Sequence, residues 1–299
     1  MSDTKQTYMY KKVNNCNIYL DFYDVKIKKS PVIVFIHGGA LIWGSRKDII
    51  LEQVQLYNKA GYSVFSLDYR LAPESKLKYI VEDIQDALVW IKKDGEKLFD
   101  LDVNKIAFIG NSAGGYLSLL AGTFSEKPNV IISFYGYGDI LGEWYGKPSA
   151  HYCSMPLVEK KEAENIVKEN IRVNRIITEG SFENRFNYYL YCRQRGIWTN
   201  EISGYDVYDE KEMIVPFCPI HNLTKDYPPT LLIHGDKDID VPYQQSLEMG
   251  KMLSKYEVNN KTIIAQGEGH VFDMDMSKPI VQDIYKEVLE FLDENFSIV

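Results

Sequence analysis

The stretch Lys105-Ile106-Ala107-Phe108-Ile109-Gly110-Asn111-Ser112-Ala113-Gly114-Gly115-Tyr116-Leu117 decides the fold. Ile106 to Ile109 is an unbroken apolar run suited to a strand covered on both faces, and Leu117, Leu119 and Leu120 then resume at helical spacing. The period changes at Ser112. Gly110 and Gly114 on either side have no Cβ, so strand and helix can close around a sharp, strained corner that lifts the serine hydroxyl into solvent. Such a Gly-x-Ser-x-Gly elbow also arises by chance, and it gains weight only from what surrounds it.

Upstream, Val32 to Ile36 reads as another buried strand, running into His37-Gly38-Gly39-Ala40, a loop whose amides no large side chain covers. A helix is predicted from Lys47 to Ala60, with Ile50, Val54 and Tyr57 on one face and Gly61 ending it, followed by a strand from Ser63 to Leu67. Asp68 to Glu74 forms a turn, and Val81, Ile84, Leu88 and Ile91 mark an amphipathic helix behind it. Tyr8 to Val13 and Cys16 to Tyr23 read as an opening hairpin turning at Asn14-Asn15. Downstream, strands are predicted at Val130 to Tyr135, Thr230 to His234 and Lys261 to Ala265. A helix carries Ser246, Met249, Met252 and Leu253, and another closes the chain from Ile280 to Phe296. Strand and helix in alternation imply the α/β class, with a mostly parallel central sheet flanked by helices. In such sheets the site lies beyond the carboxyl ends of the strands, where both His37 to Ala40 and Ser112 fall.

The alternation lapses over residues 137–226, which are rich in tyrosine (Tyr145, Tyr152, Tyr188, Tyr189, Tyr191, Tyr205, Tyr208) and hold Trp144 and Trp198. This stretch is expected to be an inserted, mostly helical cap, leaving residues 1–136 and 227–299 as the core. Each tyrosine taken singly reads as packing, while together they could wall a substrate pocket.

Composition narrows the function. The chain has 299 residues, 45% of them hydrophobic, and 34 Lys plus Arg against 42 Asp plus Glu give a net charge of −8 without a basic run. Nucleic acid and anionic membrane are therefore not expected as partners. No apolar run is long enough to span a bilayer, the first residues carry no apolar signal, and a cytoplasmic location is expected. Cys16, Cys153, Cys192 and Cys218 lack metal or redox spacing and read as free thiols. Neither a cofactor nor a metal is called for, and a homo-oligomer is compatible with the sequence without being required by it.

A serine hydroxyl is a poor nucleophile at neutral pH unless a neighbouring base takes its proton and a carboxylate orients that base. Of the five histidines, His37 precedes the glycine loop, His151 and His221 fall in the insertion, and His234 ends a buried strand and reads as core. His270 sits in a glycine-flanked loop after the last strand and is the expected base. Asp236, Asp238 and Asp240 all stand in one loop, and spacing does not choose among them as the acid. The amides of Gly38, Gly39 and Ala113 are the expected donors to an oxyanion, while His37 is expected to tie down its loop.

Five segments together resemble the hormone-sensitive-lipase-like branch of the α/β-hydrolases, which includes acetyl esterases and carboxylesterases. They are His37-Gly38-Gly39-Ala40, Asp68-Tyr69-Arg70-Leu71-Ala72-Pro73-Glu74, Gly110-Asn111-Ser112-Ala113-Gly114-Gly115, His234-Gly235-Asp236-Lys237-Asp238-Ile239-Asp240-Val241-Pro242 and Gly269-His270. Pro219 to Leu223 also resembles the return from that branch's cap. The resemblance implies the α/β-hydrolase fold, and it assigns the acid to Asp238, three residues before Val241-Pro242. It implies hydrolysis of small carboxylic esters, short-acyl ones first, through an acyl-enzyme on Ser112. Two positions depart from the pattern. Ala40 stands where a third glycine is usual, so Gly38 and Gly39 are expected to supply the hole more than Ala40, and Asn111 stands where many members have Asp. An amidase, arylformamidase or peptidase could use the same three residues. A ligand-binding protein without catalysis would be expected to lack one of them.

Overall fold

The computed structural model describes residues 5–297. The chain opens with a hairpin, β1 (Lys5–Val13) and β2 (Cys16–Tyr23), followed by β3 (Ser30–Ile36). A single 3-10 turn at Arg46–Asp48 precedes α1 (Leu51–Lys59), and β4 (Ser63–Leu67), α2 (Leu77–Trp90) and a short α3 (Glu96–Phe99) lead into β5 (Leu101–Asn111). Then come α4 (Ala113–Ala121) and β6 (Val130–Phe134). Between β6 and β7 the chain is helical, with α5 (Glu143–Gly146), α6 (Ala150–Cys153), α7 (Lys160–Arg172), α8 (Phe182–Arg195), α9 (Trp198–Ser203) and α10 (Lys211–Ile214). The fold closes with β7 (Thr230–Gly235), α11 (Gln244–Lys255), β8 (Asn260–Ala265) and α12 (Pro279–Phe296).

The strands form one sheet in the order β1-β2-β4-β3-β5-β6-β7-β8, parallel from β4 through β8, with β2 antiparallel to β4 and to β1. Successive side chains point to opposite faces, and both faces are covered. Val32, Val34, Ile36, Ile106 and Phe108 face the layer of α2 and α4. Ile33, Phe35, Ala107, Ile109, Ile132 and Ile233 face α1 and α12. That two-sided burial is why these strands read as continuous apolar runs. Parallel pairing puts the C-terminal ends of β3, β5, β7 and β8 on one edge of the sheet. The four cysteines are free.

Three predicted elements differ, the first being β1, which starts at Lys5 and not Tyr8 because Lys5 to Thr7 pair with Tyr23 to Asp21. The helix expected from Lys47 to Ala60 is broken: Ser45 and Asp48 cap each other's backbone and close a single turn, Ile49 and Ile50 are extended, and the helix starts at Leu51. Tertiary pairing draws this turn aside, because Arg46 bonds Asp21 through Nε at 3.0 Å and Asp68 through its backbone amide at 2.8 Å. The elbow strand is longer than its apolar run and starts at Leu101, since Leu101 pairs with Ser30 ahead of the main ladder.

Arg185 of α8 ties the β6–β7 segment to the sheet by a fork on Glu74 (2.9 and 2.7 Å) and a bond to the Ala72 carbonyl at 2.7 Å. Asn170 of α7 also donates to Glu74 at 3.0 Å. The elbow itself admits no added atoms. A Cβ on Gly114 would lie 1.9 Å from the Ile36 carbonyl oxygen, and one on Gly110 would lie 2.2 Å from the Gly114 oxygen. Gly114→Ala is accordingly expected to lower the unfolding free energy by about 2 kcal/mol in urea titration; an unchanged midpoint would contradict this account of the corner.

Candidate active site

Ser112 stands between β5 and α4 with φ 53° and ψ −119°, a conformation sparsely populated by residues with side chains. Its amide donates to the Phe134 carbonyl at 2.9 Å and its carbonyl accepts from the Tyr116 amide at 2.9 Å, so the sheet and the helix hold the strained residue between them. The Ser112 hydroxyl lies 3.1 Å from His270 Nε2, and His270 Nδ1 lies 2.6 Å from Asp238 Oδ2. The structure thus brings Ser112, His270 and Asp238 together from the ends of β5, β8 and β7.

Asp238 is a buried carboxylate with every oxygen engaged. Oδ1 accepts the backbone amides of Asp240 and Val241, both at 2.9 Å, while Oδ2 faces His270 and also His234 Nε2 at 3.2 Å. Burial works to raise its pKa, but the bonds from His234 and His270 outweigh it and hold the carboxyl well below the usual carboxylate range. For His270 burial lowers and the Asp238 bond raises, joined by the charges of Asp240 and Asp273, and the imidazole ends above its ordinary value.

His234 is fully buried, as expected, yet it is more than filler. Its Nδ1 lies 2.8 Å from the Ser246 hydroxyl, and Nε2, besides Asp238, lies 3.1 Å from the Val241 carbonyl. Since a carbonyl and an ionised carboxylate only accept, Nε2 carries a proton and donates. Sequence reasoning missed this second imidazole on Asp238; its signal was the spacing of His234 and Asp238 on either side of a tight turn. The other two acid candidates do different work: Asp236 accepts the Gly267 amide at 2.6 Å, joining the two loops, and Asp240 faces the pocket.

The glycine loop after β3 lies against the elbow. A Cβ on Gly38 would sit 3.0 Å from the Asn111 carbonyl oxygen and 3.4 Å from Ser112 Cβ, so a side chain here would crowd the elbow where glycine lies close to the serine without strain. Among the described residues no acceptor is paired with the amides of Gly38, Gly39 or Ala113. His37 stacks on Tyr69 with centroids 4.2 Å apart, and Tyr69 donates to the His37 carbonyl at 2.9 Å, which fixes the loop as expected. Burial pushes the His37 imidazole down. Ala40 and Leu41 adopt φ 53° and 63°, so the residue in place of a third glycine takes the left-handed conformation despite its Cβ. The buried Asn111 Oδ1 has no partner among the described residues.

A pocket of about 440 Å³ opens over Ser112 and His270, lined from the core by Trp43, Tyr135, Ile239, Asp240, Val271 and Met274 and from the β6–β7 segment by His151, Tyr152, Phe182, Phe186 and Tyr189. Of the tyrosines singled out in that segment only Tyr152 and Tyr189 reach the pocket, while Tyr145 and Trp198 stack on each other 3.9 Å apart in the core. Phe182 and Phe186 were missed. With Tyr189 and Arg193 they recur at helical spacing along α8, a stripe visible in the sequence once the helix is recognised. On the far side of His270, Tyr135 packs against the imidazole at 4.6 Å and donates to the buried carboxyl of Asp273. Among the described residues no group of three or more His, Cys, Asp or Glu is placed to hold a metal ion, and no helix is long and apolar enough to cross a membrane.

Comparison with known proteins agrees with this architecture. The chain is 27% identical over 259 residues to Esterase LipC of Mycobacterium tuberculosis, covering 84% of this chain and 55% of that one. It is 27% identical over 328 residues to the non-reducing polyketide synthase ausA of Aspergillus calidoustus, covering 92% of this chain but spanning only 13% of that much longer protein. An α/β-hydrolase superfamily protein of Enterococcus faecalis superposes with a TM-score of 0.70 at 22% identity, over 98% of this chain and all of the other. The BD-FAE family model matches residues 17–253, which include the glycine loop, Ser112 and Asp238, while His270 lies just beyond. With most of the sheet, the elbow and the acid loop inside that match, the chain belongs to the BD-FAE family, hormone-sensitive-lipase-like α/β-hydrolases.

Proposed function

We propose that the protein hydrolyses carboxylic esters with short acyl groups through a covalent acyl-enzyme on Ser112. The single observation that carries this reading is the continuous path Ser112 Oγ to His270 Nε2 (3.1 Å) and His270 Nδ1 to Asp238 Oδ2 (2.6 Å) at the floor of the pocket. His270 takes the serine proton as Oγ attacks the ester carbonyl, and the negative charge on the carbonyl oxygen is met by the amides of Gly38, Gly39 and Ala113. As the tetrahedral intermediate collapses, the same imidazole returns the proton to the leaving alcohol. Water, deprotonated by His270, then attacks the acyl carbonyl and frees the serine. Asp238 stays ionised throughout and steadies the imidazolium, which the bonds that hold its carboxyl low make possible. Similarity to Esterase LipC favours ester over amide as substrate. The preference for short acyl groups follows the resemblance to acetyl esterases.

The test is a panel of p-nitrophenyl esters graded by acyl length. Activity is expected to peak among acetate, propionate and butyrate, and Ser112→Ala is expected to lower kcat by at least about 10³-fold with unchanged folding. Retained turnover in that variant, or equal turnover of matched amides, would overturn the proposal.

The pH profile follows from His270. The base works only when neutral, and its pKa is raised, so kcat/KM is expected to fall as pH drops through a midpoint above the ordinary histidine value. A midpoint below that value would contradict the environment described for His270.

His234 acts through Asp238 as a positioning residue. His234→Leu is expected to lower kcat about tenfold with little change in KM, because one donor to a buried carboxylate is lost. His234→Gln, whose amide can still donate, is expected to recover much of the rate. Equal rates in the two variants would reduce His234 to core packing.

A further inference from the structure

Asp240 lines the pocket beside the relay, the proposed chemistry leaves it unused, and its two oxygens have different surroundings. Oδ1 accepts the Tyr189 hydroxyl at 2.6 Å and Arg193 at 2.9 Å, both from α8, while the Asp240 amide donates to Asp238 at 2.9 Å. The side chain is thereby fixed in place. Oδ2 takes none of these bonds and faces the pocket at 3.8 Å from His270 Nε2, too far for a hydrogen bond to the imidazole.

During ester cleavage the leaving oxygen must come within hydrogen-bond reach of that same Nε2 to collect its proton. With Oδ2 only 3.8 Å from Nε2, a hydroxyl on the second carbon from the leaving oxygen is then within reach of Asp240 Oδ2. Arg193 already pairs with the Asp240 charge and part of the remainder acts on His270, so what the pocket side offers a substrate is chiefly an acceptor lone pair on Oδ2. This favours a neutral donor over a cation. We propose that Asp240 Oδ2 is a specificity-determining acceptor that selects esters whose alcohol carries a free hydroxyl on the carbon next to the esterified one, that is, monoesters of vicinal diols and polyols. The inference rests on the ester hydrolysis proposed above and names the leaving group of that reaction.

The experiment compares kcat/KM of the unmodified protein on ethylene glycol monoacetate, methoxyethyl acetate and acetylcholine, with p-nitrophenyl acetate as reference. The hydroxyl substrate is expected to exceed its methyl ether by about tenfold, because the ether leaves the carboxylate oxygen unpaired. Asp240→Asn is expected to bring that ratio close to one, and a ratio does not depend on the fraction of variant that folds. Equal rates for hydroxyl and ether in the unmodified protein would overturn the proposal, and that comparison stands even if the variant fails to fold. Faster turnover of acetylcholine than of the glycol ester would overturn the choice of a neutral donor, and a preference that survives Asp240→Asn would remove Asp240 from the role. No hydrolysis of p-nitrophenyl acetate would instead sink the parent reading, and the inference with it.

Discussion

The structure depends on one backbone conformation, the strained positive-φ turn at Ser112. Holding a residue with a side chain at φ 53° and ψ −119° costs about 1–3 kcal/mol, and it persists only where the surroundings over-determine it. Here they do. β5 is paired on both sides, by β3 and β6, the Ser112 amide is held by the Phe134 carbonyl, and the helix begins at the next residue. Gly110 and Gly114 let strand and helix meet at distances that any Cβ would forbid. The same close approach brings the glycine loop after β3 against the serine, so one corner sets both the hydroxyl and the amides beside it.

The acid loop solves a different problem, that of burying a charge. A carboxylate withdrawn from water must be met by donors or it will take up a proton. Asp238 is met by four, two of them amides of its own loop and two of them imidazoles from β7 and from the loop after β8. Loop conformation and ionisation therefore support each other: the turn that bends Asp240 and Val241 back onto Asp238 also keeps it charged. His234 is held in turn by Ser246 of α11, which extends the polar network from the site into the helical layer.

The segment between β6 and β7 reaches the site through one face of α8. Arg185 anchors that helix to the Glu74 turn, and a second arginine, Arg193, is buried among rings, with its guanidinium carbon 4.5 Å from the Tyr145 centroid, 5.1 Å from that of Tyr152 and 5.5 Å from that of Tyr189. A guanidinium tolerates such burial because ring faces and the Asp240 carboxylate share its charge. Along the same helix Phe182, Phe186 and Tyr189 line the pocket, the last two between the arginines. The helix therefore supplies the pocket wall and braces Asp240 in the acid loop.

By itself the sequence determined what depends on local chemistry. Buried parallel strands are apolar on both faces, so β3, β4, β6 and β7 were legible to within two residues, and Gly110, Ser112 and Gly114 marked the elbow because that spacing permits the corner. His270 could be singled out by its place after the last strand, whereas Asp238 needed the family resemblance, since three aspartates in one loop are equivalent until the backbone folds around one of them. Tertiary structure alone decided the rest. The turn at Arg46–Asp48 broke the expected helix because Asp21 and Asp68, distant in sequence, claim Arg46. His234 became a partner of Asp238, and two tyrosines of the many became pocket wall, because these outcomes depend on which remote groups arrive at hydrogen-bonding or packing distance. Periodicity records which way a side chain faces along its own element, but not what waits on the other side.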